Sequence, residues 1–132
     1  MSLKHPIVTP KAPAPMPFFS QGIRKGPLLQ VSGQGGAHPD SGAFADDVAA
    51  QTTQTLRNVH AILEAGGANF DDIVMLRVYL TDRAHFAAIN EAYAAYVRAA
   101  SPAGVLPART TVFVGLPLPE MLVEIDALAF VD

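Results

Sequence analysis

The chain contains no cysteine. Disulfides, zinc–thiolate centres and thiol catalysis are therefore excluded, and a cytoplasmic location fits. Charge is also scarce. Of 132 residues 16% are charged, the net charge is −3, and basic residues form no run. Binding to a nucleic-acid backbone needs clustered positive surface, so no nucleic-acid partner is expected. No stretch approaches the length of a membrane span, and the N-terminus lacks the apolar segment of a secretory signal, so no membrane partner is expected either. His5, His38, His60 and His85 are scattered, none with a second ligand at metal spacing, so no metal site is expected. Ser20 and Ser32 have no partner histidine in sequence reach. The stretch Ser32-Gly33-Gln34-Gly35-Gly36 fails as a phosphate cradle, because His38 stands where a third glycine is needed and no helix follows directly. Its glycines instead allow a sharp turn or a close approach of the backbone to a ligand.

What is present is apolar. Half of the residues are hydrophobic, a high share for so small a chain. That composition predicts one globular domain over residues 1–132, with apolar surface left to bury against other subunits. Residues 1–17, with Pro6, Pro10, Pro13, Pro15 and Pro17, read as an extended arm. Phe18 to Arg24 and Leu28 to Ser32, separated by Lys25-Gly26-Pro27, read as a hairpin. From about Asp46 the period becomes helical, with Val48, Thr52, Leu56, Val59 and Leu63 on one stripe, and Gly66-Gly67 ends the helix. Ile73 to Leu80 reads as a strand. Thr81 or Asp82 caps a second helix with the stripe Phe86, Ile89, Tyr93, Tyr96 and Val97. Two further strands close the chain as a terminal hairpin. The resulting class is α+β, in the order ββαβαββ, with two helices on one face of a mixed sheet. The strand Ile73 to Leu80 carries Val74, Leu76, Val78 and Leu80 on one face and Ile73, Met75, Arg77 and Tyr79 on the other, which is also largely apolar. Two-sided burial follows, the second cover being another subunit.

The two last strands carry the chemistry. In Ala108 to Val114, Arg109, Thr111 and Phe113 point opposite to Ala108, Thr110, Val112 and Val114. In Met121 to Val131 the odd positions are uniformly apolar, and the even ones include Glu124 and Asp126. If the strands form a hairpin with both apolar faces on one side, Arg109 and Thr111 share the other face with Glu124 and Asp126, within roughly 4.5–8 Å. A charge on an apolar strand is costly unless paired or used. Two readings fit this spacing, a buried structural ion pair and a functional site. Asp126 could be the static partner of the arginine and leave Glu124 for chemistry, or the reverse.

These residues resemble a known family. Pro107-Ala108-Arg109-Thr110 and Val123-Glu124-Ile125-Asp126-Ala127 are similar to the C-terminal signature of the RidA/YjgF family, the reactive-intermediate deaminases, also known as L-PSP endoribonucleases or translation inhibitors. Ser32-Gly33-Gln34 is similar to its S-G-Q strand end. Gln51, Leu56, Asn58, Ile62 and Leu63 match its first helix, and Asn90 with Tyr93 its N-x-x-Y. The resemblance covers nearly the whole chain. It implies a chorismate-mutase-like fold and a homotrimer with clefts between subunits. It also implies hydrolytic deamination of reactive enamines and imines, such as 2-aminoacrylate and 2-imino acids, to 2-keto acids and ammonia, without metal or cofactor. On this resemblance Arg109 holds the substrate carboxylate by a two-pronged grip. Glu124 positions or activates the attacking water. Phe19, Ser32, Asn90 and Thr111 line the cleft. Phe19 stands where the family usually has tyrosine, and Thr111 where it often has cysteine, so substrate choice is open. A pathway-specific deaminase, such as one for 2-aminomuconate, is one alternative. A non-catalytic carboxylate-binding or chaperone-like module is another. RNA cleavage fits the acidic balance least.

Overall fold

The computed structural model describes residues 3–132. Among them, strands β1 (Lys4–Ile7), β2 (Gly22–Lys25), β3 (Leu28–Gln34), β4 (Ile73–Leu80), β5 (Ala108–Phe113) and β6 (Val123–Phe130) form one sheet in the order β1-β2-β3-β6-β4-β5. Helices α1 (Val48–Ala65) and α2 (Phe86–Ala100) cover one face. The chain is α+β with a mixed sheet, as expected, but the order is βββαβαββ. The proline-rich arm supplies the extra strand. Lys4 to Ile7 pairs antiparallel with β2, because an extended arm that buries Ile7 loses little by completing a sheet edge. The first two residues of that arm lie outside the described ones. The predicted hairpin starts later than Phe18, since residues 18–21 form turns and a bend before β2.

Helix α1 begins at the predicted position near Asp46, whereas Asp82 caps a 3-10 turn ahead of α2, whose own N-cap is His85 without a side-chain bond. The Asp47 carboxylate accepts from the Ala49 N–H at 3.0 Å. The Asp82 carboxylate accepts from the Ala84 N–H at 2.9 Å, opening a short 3-10 turn, Arg83–His85, that runs into α2. At the end of α1, Gly67 adopts φ +85°, which an L side chain resists. The core lies between helices and sheet, with Leu56, Val59, Ile62, Leu63, Leu76, Val78, Leu80, Ile89, Val123 and Ile125 fully buried.

The terminal hairpin does not form. β5 lies parallel to β4, with Leu76 beside Arg109 and Val78 beside Thr111, and β6 lies antiparallel on the other edge of β4 and also against β3. The α2 crossover explains this, because a strand that follows a helix returns parallel to the strand before it. Burial explains the places. β6, with Val123, Ile125, Ala127 and Ala129 fully covered, takes the centre, whereas β5, with Ala108, Thr110 and Val112 exposed, takes the edge. The face of β5 is therefore inverted relative to the expectation. Arg109, Thr111 and Phe113 lie on the helix side.

β4 also departs from strict alternation. A register shift between Ile73 and Met75 turns Ile73 into the core and leaves Val74 half exposed. From Met75 onward the alternation is as expected. Met75, Arg77 and Tyr79 stand on the face without helices, together with Glu124 and Asp126, to which Tyr79 and Arg77 are register partners.

Candidate active site

The expected neighbours Arg109 and Glu124 are on opposite faces of the sheet and two strands apart, about 10 Å sideways before side chains are counted. Within one chain they form neither an ion pair nor a joint site. Each stands instead in its own half-site.

The first half-site is on the open face. Glu124 on β6 opens into a cleft of about 540 Å³ lined also by Phe19, Ser32, Gly33, Arg77, Pro117 and Asp126. Phe19, half exposed, forms one wall. Ser32 donates through its hydroxyl to the Ser20 carbonyl at 2.6 Å, which ties the end of β3 to the segment carrying Phe19. Gly33 is needed for a steric reason. A Cβ there would lie 2.9 Å from the Glu124 carboxyl carbon and 3.3 Å from its Cγ, so the glutamate rests directly on the bare backbone. Contacts distinguish the two acids. Asp126 accepts from the Arg77 Nε–H at 2.8 Å and from the Tyr79 hydroxyl at 2.9 Å, so it is the static partner, of Arg77 rather than of Arg109. Among the described residues Glu124 has no side-chain hydrogen bond or ion pair. Burial first, and then the charge of Asp126, pushes the Glu124 carboxyl above its ordinary value. A half-buried carboxyl without a partner, with raised proton affinity, is suited to take up and return a proton.

The second half-site is on the helix face at the β5 edge. The Arg109 guanidinium carbon lies 4.5 Å from the centre of the Tyr93 ring and 6.0 Å from that of Phe86. Its Nε donates to the Thr111 hydroxyl at 2.7 Å, which fixes the plane of the fork. No acid pairs with it among the described residues. Burial lowers its pKa, an effect opposed by Tyr93. The two terminal nitrogens are thus left for a carboxylate brought from outside. Asn90 lies on the same stripe of α2, one turn from Phe86 and from Tyr93. Its Oδ1 is buried with no hydrogen-bond partner, a free acceptor in a structure where such atoms are few.

Buried amides of α1 hold the loops of the first half-site. The Gln51 amide donates to the carbonyls of Ala45 and Glu120 at 2.7 and 2.8 Å, and its oxygen accepts from the Leu122 N–H at 2.9 Å. The Asn58 amide donates to the carbonyls of Gly35 and Ala37. Gln21 clamps the arm, accepting from the Thr9 N–H at 2.8 Å and donating to the Pro13 carbonyl at 2.9 Å. Sequence reasoning missed the roles of Gly33, Arg77 and Tyr93. The lone charge of Arg77 on an otherwise apolar strand was the available signal for one of them. No helix of the described residues is long and apolar enough to cross a membrane.

The fold is that of a class of small α+β proteins with a helix-covered mixed sheet, and solved structures resemble this chain over nearly its whole length. The YjgF gene product of Escherichia coli superposes with a TM-score of 0.89 at 38% identity, covering 96% of this chain and 98% of its own. Escherichia coli TdcF with bound serine superposes at 0.91 and 33% identity, covering 97% and 99%. By sequence, the 2-iminobutanoate/2-iminopropanoate deaminase of Salmonella typhimurium is 38% identical over 93% of this chain and 94% of that protein. A RutC family protein of Pyrococcus horikoshii is 38% identical over 97% and 98%. The endoribonuclease L-PSP family model matches residues 9–131. The chain belongs to that family, the RidA/YjgF family.

Proposed function

We propose that the protein is a cofactor-independent deaminase that hydrolyses 2-imino acids to 2-keto acids and ammonia, working as a homotrimer with clefts between subunits. The observation that carries this reading is the division of the site. Among the described residues Arg109 has no acid partner and Glu124 no cation, and the two lie on opposite faces of one sheet. A cleft built from the Arg109 edge of one subunit and the Glu124 face of the next joins them. The open face supports the assembly, since Leu28, Phe130 and Val74 are exposed on or beside it. The names of relatives support the chemistry. A protein 38% identical is an imine deaminase, and a structural neighbour holds serine.

In this reading the guanidinium of Arg109 grips the substrate carboxylate through its two terminal nitrogens, with its plane set by Thr111. Asn90 offers its carbonyl to an N–H of the substrate iminium. Glu124 takes a proton from water as the oxygen adds to the C=N carbon. It then returns the proton to nitrogen and takes up the hydroxyl proton, so that the carbinolamine C–N bond breaks, ammonia leaves and the C=O bond forms. Phe19 and Ser32 wall the cleft. RNA is not a partner in this reading, given the net charge of −3 and the lack of a basic run.

The test is ammonia release from 2-iminopropanoate generated in place. Glu124→Gln keeps the size and loses the base, so turnover is expected to fall about 10²–10⁴-fold. Arg109→Lys is expected to recover little of what Arg109→Ala loses, because a point charge lacks the fork. Wild-type rates equal to the uncatalysed background across several imines would refute the reading.

A further inference from the structure

We infer that the side-chain pocket of this site is built for large apolar groups, so that the preferred substrates are 2-imino acids with branched, thioether or aromatic side chains rather than 2-iminopropanoate. This rests on the deaminase reading. The cleft at Glu124 adjoins a second cavity of about 540 Å³, with which it shares Phe19, Gly33 and Pro117. Beyond those shared residues the walls include Met16, Phe18, Phe44, Leu118 and Met121. Among the described residues no charged side chain lines the cavity, and its polar side chains are Gln21 and Gln34. Both glutamines direct their amides to backbone. Gln21 clamps Thr9 and Pro13, and Gln34 donates to the Ser32 carbonyl at 3.1 Å. The cavity therefore offers an incoming group little but apolar surface.

Its position matches the substrate. A 2-imino acid carries its side chain on the reacting carbon, and Glu124, which serves that carbon, leans on Gly33, a residue of both cavities. With the carboxylate held from the Arg109 side, the remaining substituent of the planar carbon points toward Phe19 and the apolar cavity. A methyl group would stop at the mouth. An isobutyl, methylthioethyl or benzyl group would reach Phe44, Leu118 and Met121. Phe18 and Met16, at 77% and 55% exposure, are large apolar groups left open to solvent, and such a ligand would cover them. Phe19 belongs to the same design, because without the family's hydroxyl the wall between the two cavities is apolar.

Binding and catalysis are measured separately. Calorimetric titration of the wild type compares pyruvate with 4-methyl-2-oxopentanoate, the stable products of the corresponding imines. Each methylene buried is worth about fourfold, so the three added carbons give roughly 10- to 60-fold tighter binding of the branched acid. Ammonia release from imines formed in place from alanine and leucine is expected to show the same order in kcat/KM. Leu118→Trp, a change at a partly exposed loop position, fills the cavity and is expected to reduce the preference ratio about tenfold. Equal affinities, a preference for pyruvate, or no binding of either acid overturns the inference. So does a ratio unmoved in Leu118→Trp. If no imine is hydrolysed above background, the deaminase reading falls, and the keto-acid affinities alone then decide the chemistry of the pocket.

Discussion

Gly33 offers the sharpest test of how the backbone places Glu124, the proposed general base. Its φ is not in the left-handed region, so alanine fits the backbone without strain. The only obstacle is the side chain of Glu124. A built Cβ stands 2.9 Å from the carboxyl carbon, whereas ordinary contact begins at 3.4 Å and extends to 4 Å. The carboxyl of Gly33→Ala must therefore retreat by about 0.5–1 Å, and a 1 Å misplacement of a catalytic group can cost roughly 10²-fold in rate. The retreat is cheap for the fold. Glu124 is only half-buried and a side chain pushed off its rotamer costs about 0.5–1.5 kcal/mol. The expected result is a kcat lowered about 10- to 100-fold in the ammonia-release assay, with KM changed less, since the carboxylate grip of Arg109 is untouched. The melting temperature is expected to fall by only a few degrees. A Gly33→Ala enzyme with full kcat would refute the assignment of Glu124 as the base. A variant that lost kcat only in proportion to lost folded protein would refute the positioning argument.

Two further outcomes follow from the same geometry. The proposed trimer predicts a mass of about 42 kDa by light scattering, three times the 13.9 kDa of one chain. Met75→Asp, which sets a charge on that face, is expected to yield monomers. A monomeric wild type would refute the subunit-cleft reading. The raised proton affinity of Glu124 predicts a pH signature in stability. Below the ordinary value of 4.5 folded and unfolded chains both hold this proton. As the pH rises past that value the unfolded chain releases its proton first, so this group's contribution to stability falls until the folded carboxyl also ionises. The stability difference between wild type and Glu124→Gln is therefore expected to shift against the wild type as pH increases through that window. A difference constant from pH 4 to 8 would refute the shift.

Much of this arrangement was legible in the residues. The 3.6-residue stripe from Val48, the glycine pair at 66–67 and the eight-residue run Ile73–Leu80 give both ends of α1 and β4. The alternation of β6 gives its buried face without error. What failed was partnership between strands. Parity says which residues of β5 share a face, but not which face, because that depends on the neighbour, and the neighbour is set by the helix that crosses over. The bulge at Val74 was hidden for a related reason. A run apolar at every position but Arg77 carries no alternation whose break would mark it. The arm strand was obscured by its prolines, which are tolerated at a sheet edge and so do not exclude one.

The error over Arg109 bears on function more than the successes do. A hairpin would have set the guanidinium against Glu124 or Asp126 and neutralised it inside one chain, which is the structural ion pair that the spacing also allowed. The crossover prevents this. Asp126 is satisfied by Arg77 and Tyr79 on its own face, and Arg109 is sent to the far side of the sheet, over the Tyr93 ring. A partly buried guanidinium without an acid, and a half-buried carboxyl without a base, each cost the isolated fold stability. A ligand carboxylate answers the first, and a reaction that consumes and returns a proton uses the second. On the proposed reading, the apposition of two subunits brings these two unanswered groups to one substrate without allowing them to neutralise each other beforehand. That separation also explains why mutation of either group should spare the monomer fold while removing a different half of the chemistry.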